Sequence, residues 1–348
     1  MASRDVVVVG ASAGGVEALR DLVSRLPADY PAALLVVLHV PPAGRSALPD
    51  ILTRAGRLPA RHATDGDVLT PGQILVAPPN RHLIVYDSAV TLSPGPRENG
   101  HRPAIDVLFR TAARALGPRV MAVILSGALD DGTAGGVAVK LRGGTCLAQD
   151  PEEALHPSMP RSAIHAGCVD IVGTLSEIAE ALIDLAGQPA PEVAPPVSPL
   201  MNLEAVMADL DPRGFGDHEH PGVPAAFSCP DCQGTLYQIN EGGLVRFRCR
   251  VGHAWSVESL LAQQSSAYES ALWMAMRSLE EKASLSRNLA VRARERGNVL
   301  SAESFENQVA ETLHAAELVR EVIDKVSAGA RMEVDGGTHE KGRAPVEP

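Results

Sequence analysis

Val6-Val7-Val8-Val9-Gly10-Ala11-Ser12-Ala13-Gly14-Gly15 is the stretch on which the reading of this chain turns. A β-branched run of this kind, closed by turn residues, predicts a buried parallel strand. The apolar spacing of Val16, Leu19, Leu22, Val23 and Leu26 then predicts a helix. The glycines therefore join a strand end to a helix start, with one serine in the tight turn between them. A G-x-S-x-G turn there can raise a hydroxyl to the rim of a sheet, beside helix N-terminal amides. The same glycines can cradle a phosphate, so the motif by itself leaves two chemistries open.

Outward from this turn, short apolar runs alternate with helical patterns from residue 5 to about 187. Ala33–Leu38, Gln73–Ala77, Val120–Leu125, Thr145–Ala148 and Val169–Val172 read as buried strands. His82–Tyr86 and Ala89–Leu92, split by Asp87-Ser88, read as a hairpin. Helices are expected over Ala104–Leu116 and Leu175–Leu185, and a turn at Ser158–Arg161. The alternation predicts an α/β fold, a doubly wound and mostly parallel sheet with helices on both faces. Five segments are expected: 1–187, an α/β domain; 188–225, a Pro-rich linker; 226–255, a zinc-ribbon-like module; 256–328, a helical hairpin; and 329–348, a disordered tail.

Composition limits the partners. The 348 residues carry a formal charge of −11, which argues against a nucleic-acid binder. No apolar segment approaches the roughly 20 residues needed to span a bilayer, and Val6–Val9 is too short for a signal-peptide core, so no membrane insertion is expected. Five cysteines without a secretory signal fit a reducing cytoplasm.

Ser12, His39 and Asp131 each fall just past the carboxyl end of a predicted parallel strand, the edge where ligands and chemistry gather. A serine hydroxyl becomes a useful nucleophile when an imidazole takes its proton and a carboxylate holds the imidazole. The order Ser…His…Asp differs from the Ser…Asp…His of α/β-hydrolases. His39, after an apolar run, also fits a hydrogen-bonded core histidine. Asp131 before Gly132 also fits a cap or turn. Asp130, Asp65 and Asp106 compete for the acid role. A nucleotide-binding domain would instead place an acidic residue after the second strand, where His39-Val40-Pro41-Pro42 stands.

Residues 5 to about 187 resemble the catalytic domain of the CheB family of chemotaxis protein-glutamate methylesterases. The resemblance is carried by Gly10–Gly15, Leu38-His39-Val40-Pro41-Pro42, Asp65-Gly66, Pro71-Gly72, Ala77-Pro78 with His82, His101-Arg102-Pro103 with Asp106, Ser126-Gly127 with Asp131-Gly132, and Met159-Pro160-Arg161, in the family's order. It implies a serine hydrolase that releases methanol from γ-glutamyl methyl esters on chemoreceptors, with receptor glutamine deamidation in some members and no cofactor for catalysis. It maps the nucleophile to Ser12, the base to His39 and the acid to Asp131. Arg102 and Arg161 become rim candidates for acidic receptor helices, against a role in structural salt bridges. The family loop Gly-Met-Gly-x-Asp-Gly reads Gly127-Ala128-Leu129-Asp130-Asp131-Gly132 here, and Ala13 and Ala104 replace a usual threonine and serine. If that loop supplies an oxyanion amide, losing one donor costs about 3–4 kcal/mol of barrier. The resemblance begins without the family's receiver domain. The alternative is a signalling scaffold that keeps the esterase fold, has little or no catalysis and binds its partner through the C-terminal region.

Cys229-Pro230-Asp231-Cys232 and Cys249-Arg250-Val251-Gly252-His253 have the spacing C-x₂-C-x₁₆-C-x₃-H, with Gly242-Gly243 as the intervening turn. Cys229, Cys232, Cys249 and His253 would close a tetrahedral shell, so a zinc ion there is structural. Cys146 and Cys168 read as small core residues, and Asp217-His218-Glu219-His220 as solvated linker. The apolar residues from Leu260 to Ile323 predict the seam of two antiparallel helices broken at Gly297-Asn298, a seam that also offers a homodimer surface.

Overall fold

The computed structural model describes residues 3–44, 46–210 and 222–335. In chain order the first elements are β1 (Val6–Ala11), α1 (Gly15–Arg25), β2 (Ala33–Leu38), α2 (Leu48–Ala55), β3 (Ala60–His62) and β4 (Ile74–Val76). The hairpin β5 (His82–Tyr86) and β6 (Ala89–Ser93) follows, then α3 (Ile105–Leu116), β7 (Val120–Ile124), α4 (Thr133–Leu141) and β8 (Thr145–Gln149). Next come α5 (Ser158–His165), β9 (Ile171–Gly173), α6 (Leu175–Leu185) and α7 (Pro199–Ala208). The chain continues through β10 (Val223–Ser228), β11 (Thr235–Glu241), β12 (Leu244–Cys249), β13 (Ala254–Ser256), α8 (Val257–Glu295) and α9 (Val299–Asp335).

Seven strands form one parallel sheet in the order β3-β4-β2-β1-β7-β8-β9. Every residue of β1, β2 and β7 is buried, which is why these runs lack a polar alternation. Separate apolar clusters cover the two faces. The chain steps from β1 to β2 on one side and later returns to β7 on the other. The carboxyl end of β1 is therefore the switch point, where parallel sheets open a crevice.

Some local expectations change. Met159-Pro160-Arg161 lies inside α5 rather than in a turn, and α2 and β3 were not foreseen. The segment expected as a linker contains α7, whose Ser198 side chain caps its start by accepting from the Met201 amide. Glu204 of α7 is fully buried. It accepts from Arg246 and Arg248 of β12, while Glu98 accepts from Arg110 of α3 and from Arg248. Glu241 completes the group through Arg246, so three carboxylates face three guanidiniums. Removing one partner would strand a buried charge at a cost of about 3–5 kcal/mol. Asp217–His220 lies outside the described residues. The expected tail begins inside α9, which runs to Asp335.

Strands β10 to β13 form a four-stranded antiparallel sheet, with Gly242-Gly243 as the two-residue turn between β11 and β12. Residues to Leu261 make one compact unit, and a second begins at Ala262. Within the second, α8 and α9 run antiparallel, tied by Arg294–Glu306 and Arg320–Glu280 pairs. Among the described residues no helix is long and apolar enough to cross a membrane.

Candidate active site

Ser12 follows the last residue of β1, and its amide donates to the Ser126 carbonyl at the end of β7 (2.9 Å). Two glycines make this approach feasible. Gly14, at φ +70°, turns the chain into α1, and a side chain there would strike Ser126 Oγ at 2.8 Å. A Cβ on Gly127 would lie 2.0 Å from Met159 Sδ and 2.9 Å from Ser12 Cβ, so this loop packs directly against the serine. His39 continues the ladder of β2, donating its amide to the Ala11 carbonyl.

The three candidate side chains form one hydrogen-bonded chain. His39 Nδ1 lies 3.1 Å from Ser12 Oγ, and His39 Nε2 lies 2.8 Å from Asp131 Oδ2. With the carboxylate accepting from Nε2–H, Nδ1 is the free acceptor for the serine proton. The His39 and Asp131 side chains are only 6% and 2% exposed. Asp131 also accepts from the amides of Ile105, Asp106 and Gly132 and from Asn99 Nδ2. Two of those amides open α3, so a helix N-terminus faces the carboxylate. Burial disfavours the Asp131 charge, but the His39 hydrogen bond and charge, His101 and the Ile105 amide outweigh it. Its carboxyl is held well below the usual range.

Asp106 reciprocates from the first turn of α3. It accepts from the Gly132 and Gly135 amides at the start of α4 and from Asn99 Nδ2. Burial, then the Asp131 charge, pushes Asp106 upward. Their environments thus push the two carboxyls in opposite directions. The remaining competitors go elsewhere: Asp65 accepts from the Leu92 amide, and Asp130 from the Ser256 and Ser259 hydroxyls. His82 is a buried structural histidine, held between the Ala104 amide and the Pro96 carbonyl and lowered to about 4 by burial.

Two neighbours have no role in the sequence analysis, one of them although it stands in a motif that carries the resemblance. His101 stacks on His39 with ring centroids 3.6 Å apart and planes 10° off parallel. Burial, then the His39 charge, lowers it to about 4, so at neutral pH it is an uncharged plate. Asn99 is the other, and the Asn99-Gly100 pair was a legible hairpin-turn signal. Both residues have positive φ (52° and 77°), and Glu98 and His101 exchange both backbone hydrogen bonds.

Two amides beside the serine are already committed. The Ser12 amide is committed to Ser126, and the Gly127 amide donates to the His156 carbonyl. Among the described residues, Ala13 and Gly14 at the head of α1 have amides with no backbone acceptor. A cleft of about 350 Å³ opens beside the site, lined by His39, Val40, Pro41, Arg97, His101 and Arg102. Arg102 is anchored on Asn80 and on the Pro94 and Gly95 carbonyls. Burial, then Arg97 and Arg81, lowers it, so three guanidiniums share one field. Arg161 is half exposed and pairs loosely with Glu152 at 3.7 Å.

The four candidate metal ligands also converge: the ligand atoms of Cys229, Cys232, Cys249 and His253 lie within 4.8 Å of one another. Cys232 Sγ–Cys249 Sγ is 3.6 Å and Cys249 Sγ–His253 Nδ1 is 3.5 Å. A tetrahedral ion with bonds of about 2.3 Å to sulfur needs edges of about 3.8 Å, so the set fits zinc. The outer His253 nitrogen faces Asp231 at 3.8 Å, the usual place for a supporting carboxylate.

Comparison with known proteins adds a family. A sequence profile described as CheB methylesterase matches residues 7–182. The chain is 34% identical over 190 residues to protein-glutamate methylesterase/protein-glutamine glutaminase 2 of Methanosarcina mazei, covering 52% of each protein. It is 41% identical over 184 residues to protein-glutamate methylesterase/protein-glutamine glutaminase 5 of Anaeromyxobacter dehalogenans, covering 52% of this chain and 51% of that one. The chain spans about half the length of these curated relatives. The crystal structure of the Thermotoga maritima CheB methylesterase catalytic domain superposes with a TM-score of 0.51 at 36% identity, over 53% of this chain and all of that one.

Proposed function

Because the chain belongs to the CheB methylesterase family, we propose that it hydrolyses glutamate methyl esters on chemoreceptor-like proteins, with Ser12 as nucleophile, His39 as base and Asp131 as acid. The observation that carries the reading is the unbroken chain from Ser12 Oγ through His39 to Asp131, at 3.1 and 2.8 Å. Ser12 Oγ attacks the ester carbonyl as its proton passes to His39 Nδ1. Asp131, supplied with four further donors, stays ionised and holds the imidazolium. The Ala13 and Gly14 amides, aided by the α1 N-terminus, face the developing oxyanion. His39 returns the proton to the departing methoxide, giving methanol, and water then cleaves the acyl-enzyme to the free glutamate. A glutamine side chain enters the same acyl-enzyme with ammonia as leaving group, which supports deamidation as a second activity. Arg97 and Arg102 beside the cleft suit an acidic receptor helix.

In this reading catalysis uses no cofactor, and Cys229, Cys232, Cys249 and His253 hold a structural zinc. The module's own core is only six residues, too small to fold unaided, so bound metal would supply folding energy. A site needing three reduced thiols suits the cytoplasm. The helices of the second unit remain the proposed homodimer surface.

The experiment is methanol release from a methylated receptor fragment by the wild type and by Ser12→Ala. Release by the wild type, with a loss of about 10⁴-fold or more in the variant, is expected. Equal release by both, or none by either, would favour the scaffold reading.

A further inference from the structure

The turn that carries Asn99 is gripped by the last strand of the cysteine-containing module. The Ala254 amide donates to the Arg97 carbonyl (3.2 Å), the Asn99 amide donates to the Ala254 carbonyl (2.8 Å), and the Ser256 amide donates to Asn99 Oδ1 (2.8 Å). The Trp255 ring lies against Gly100, 3.7 Å from where a Cβ would stand. Thus β13 adds itself, in parallel, to the edge of the 97–99 segment. On its other side, buried Asn99 uses Nδ2 on Asp131 Oδ1 and Asp106 Oδ2, both at 3.0 Å. Its amide, carbonyl oxygen Oδ1 and Nδ2 group are therefore all engaged, and its orientation is fixed from the module side. The same turn sets His101 against His39.

We propose that Asn99 is a positioning residue through which the metal-binding module sets the catalytic aspartate: the Ser256 amide orients the Asn99 side chain, which in turn orients Asp131 against His39. The relay runs from the four metal ligands through β13, Asn99 and Asp131 to His39 and Ser12. It rests on the proposed triad and metal site but not on the identity of the ester. An amide is suited to this place because its oxygen takes the module's N–H while its two hydrogens serve two neighbouring carboxyls. Neither a carboxylate nor a hydroxyl offers that set.

The test reads the reactivity of Ser12 toward a fluorophosphonate, in which Ser12 Oγ displaces fluoride from phosphorus. This needs the triad but no receptor, so it stands even if methanol release fails. Asn99→Gly keeps a residue tolerant of positive φ and removes only the side chain. Labelling at pH 7 is expected to fall about 10- to 100-fold. The acid limb of its pH profile should move upward, because an aspartate short of one donor holds the imidazolium more tightly. A merely structural loss would lower the labelled fraction and leave that limb in place. Stripping metal from the full chain with a chelator, confirmed by metal analysis, should reproduce both changes in the wild type. It should add little to Asn99→Gly, because both lesions cut one relay. In a Trp273→Phe background, Trp255 emission should shift to the red on stripping, reporting release of β13 independently of labelling. Unchanged rate and pH limb in Asn99→Gly would overturn the positioning role. Unchanged labelling of the stripped wild type, or effects of stripping and substitution that multiply in full, would overturn the coupling.

Discussion

Leu129 stands in the loop between β7 and α4 at φ +60°, a left-handed conformation that a γ-branched residue rarely adopts. The family pattern carries glycine at this position, the residue that adopts such a backbone freely. Left-handed backbone costs an ordinary residue about 1–2 kcal/mol, partly offset by the lower chain entropy that a side chain brings. Leu129 is 36% exposed, so the covered part of its side chain also offsets this cost. Leu129→Gly removes strain and packing together, so it is expected to change stability by less than about 1 kcal/mol, measured by urea unfolding, and a loss of more than about 2 kcal/mol would refute the strain. The substituted loop was legible in the sequence, but its consequence was not. The Gly127 amide is spent on the His156 carbonyl, so it is not the one this loop would offer to an oxyanion. Asp131 could be told from its three rivals only by the family order, since each is equally an aspartate near a turn.

At the scale of elements, helix N-termini are the recurring device. Asp131 and Asp106 cap each other's helices, α3 and α4, which couples the candidate acid to the packing of two helices. A third terminus, that of α8, faces Asp130. Ser256 caps it by accepting from the Ser259 amide, and both hydroxyls donate to Asp130 Oδ1. Burial, then the hydrogen bond shared with Glu258, raises Asp130 to about 7. The unfolded chain holds that proton only to about pH 4. Between about pH 4 and pH 7 the folded state therefore binds more protons, and this group's contribution to stability falls as pH rises through that window. Asp130→Asn, which still accepts from both serines and can donate to Glu258, should remove that part of the slope. It should be more stable than the wild type at pH 8 and gain less, or nothing, at pH 4. A difference between the two proteins that does not vary with pH would contradict the shared proton.

At the scale of the molecule, the cysteine-containing module is built into the α/β domain rather than strung beyond it. A neutral, buried group of six charged side chains joins α3, α7 and β12 to the loop at Glu98, and β13 lies along the turn that holds Asn99. The bonds from β13 and the start of α8 to the site come from Ala254, Ser256 and Ser259. A chain ending at Leu261, the limit of the first compact unit, is expected to keep its metal content and its fluorophosphonate reactivity within about twofold. A tenfold loss of reactivity would show that the second unit supports the site.

The sequence by itself determined the parallel α/β sheet, the strand-end positions of Ser12, His39 and Asp131, and the spacing of the four candidate metal ligands. Each of these is local, written in a run of apolar residues, a turn or a fixed interval, and local signals survive in one dimension. Only the tertiary structure decided which amides are free to meet an oxyanion, that α7 fills the expected linker, and that Asn99 links the module to Asp131. Those depend on which partner a polar group finds 32 to 157 residues away. A proline-rich composition masked a helix whose one buried glutamate pays its desolvation with arginines from β12, and no pattern in its own sequence names them.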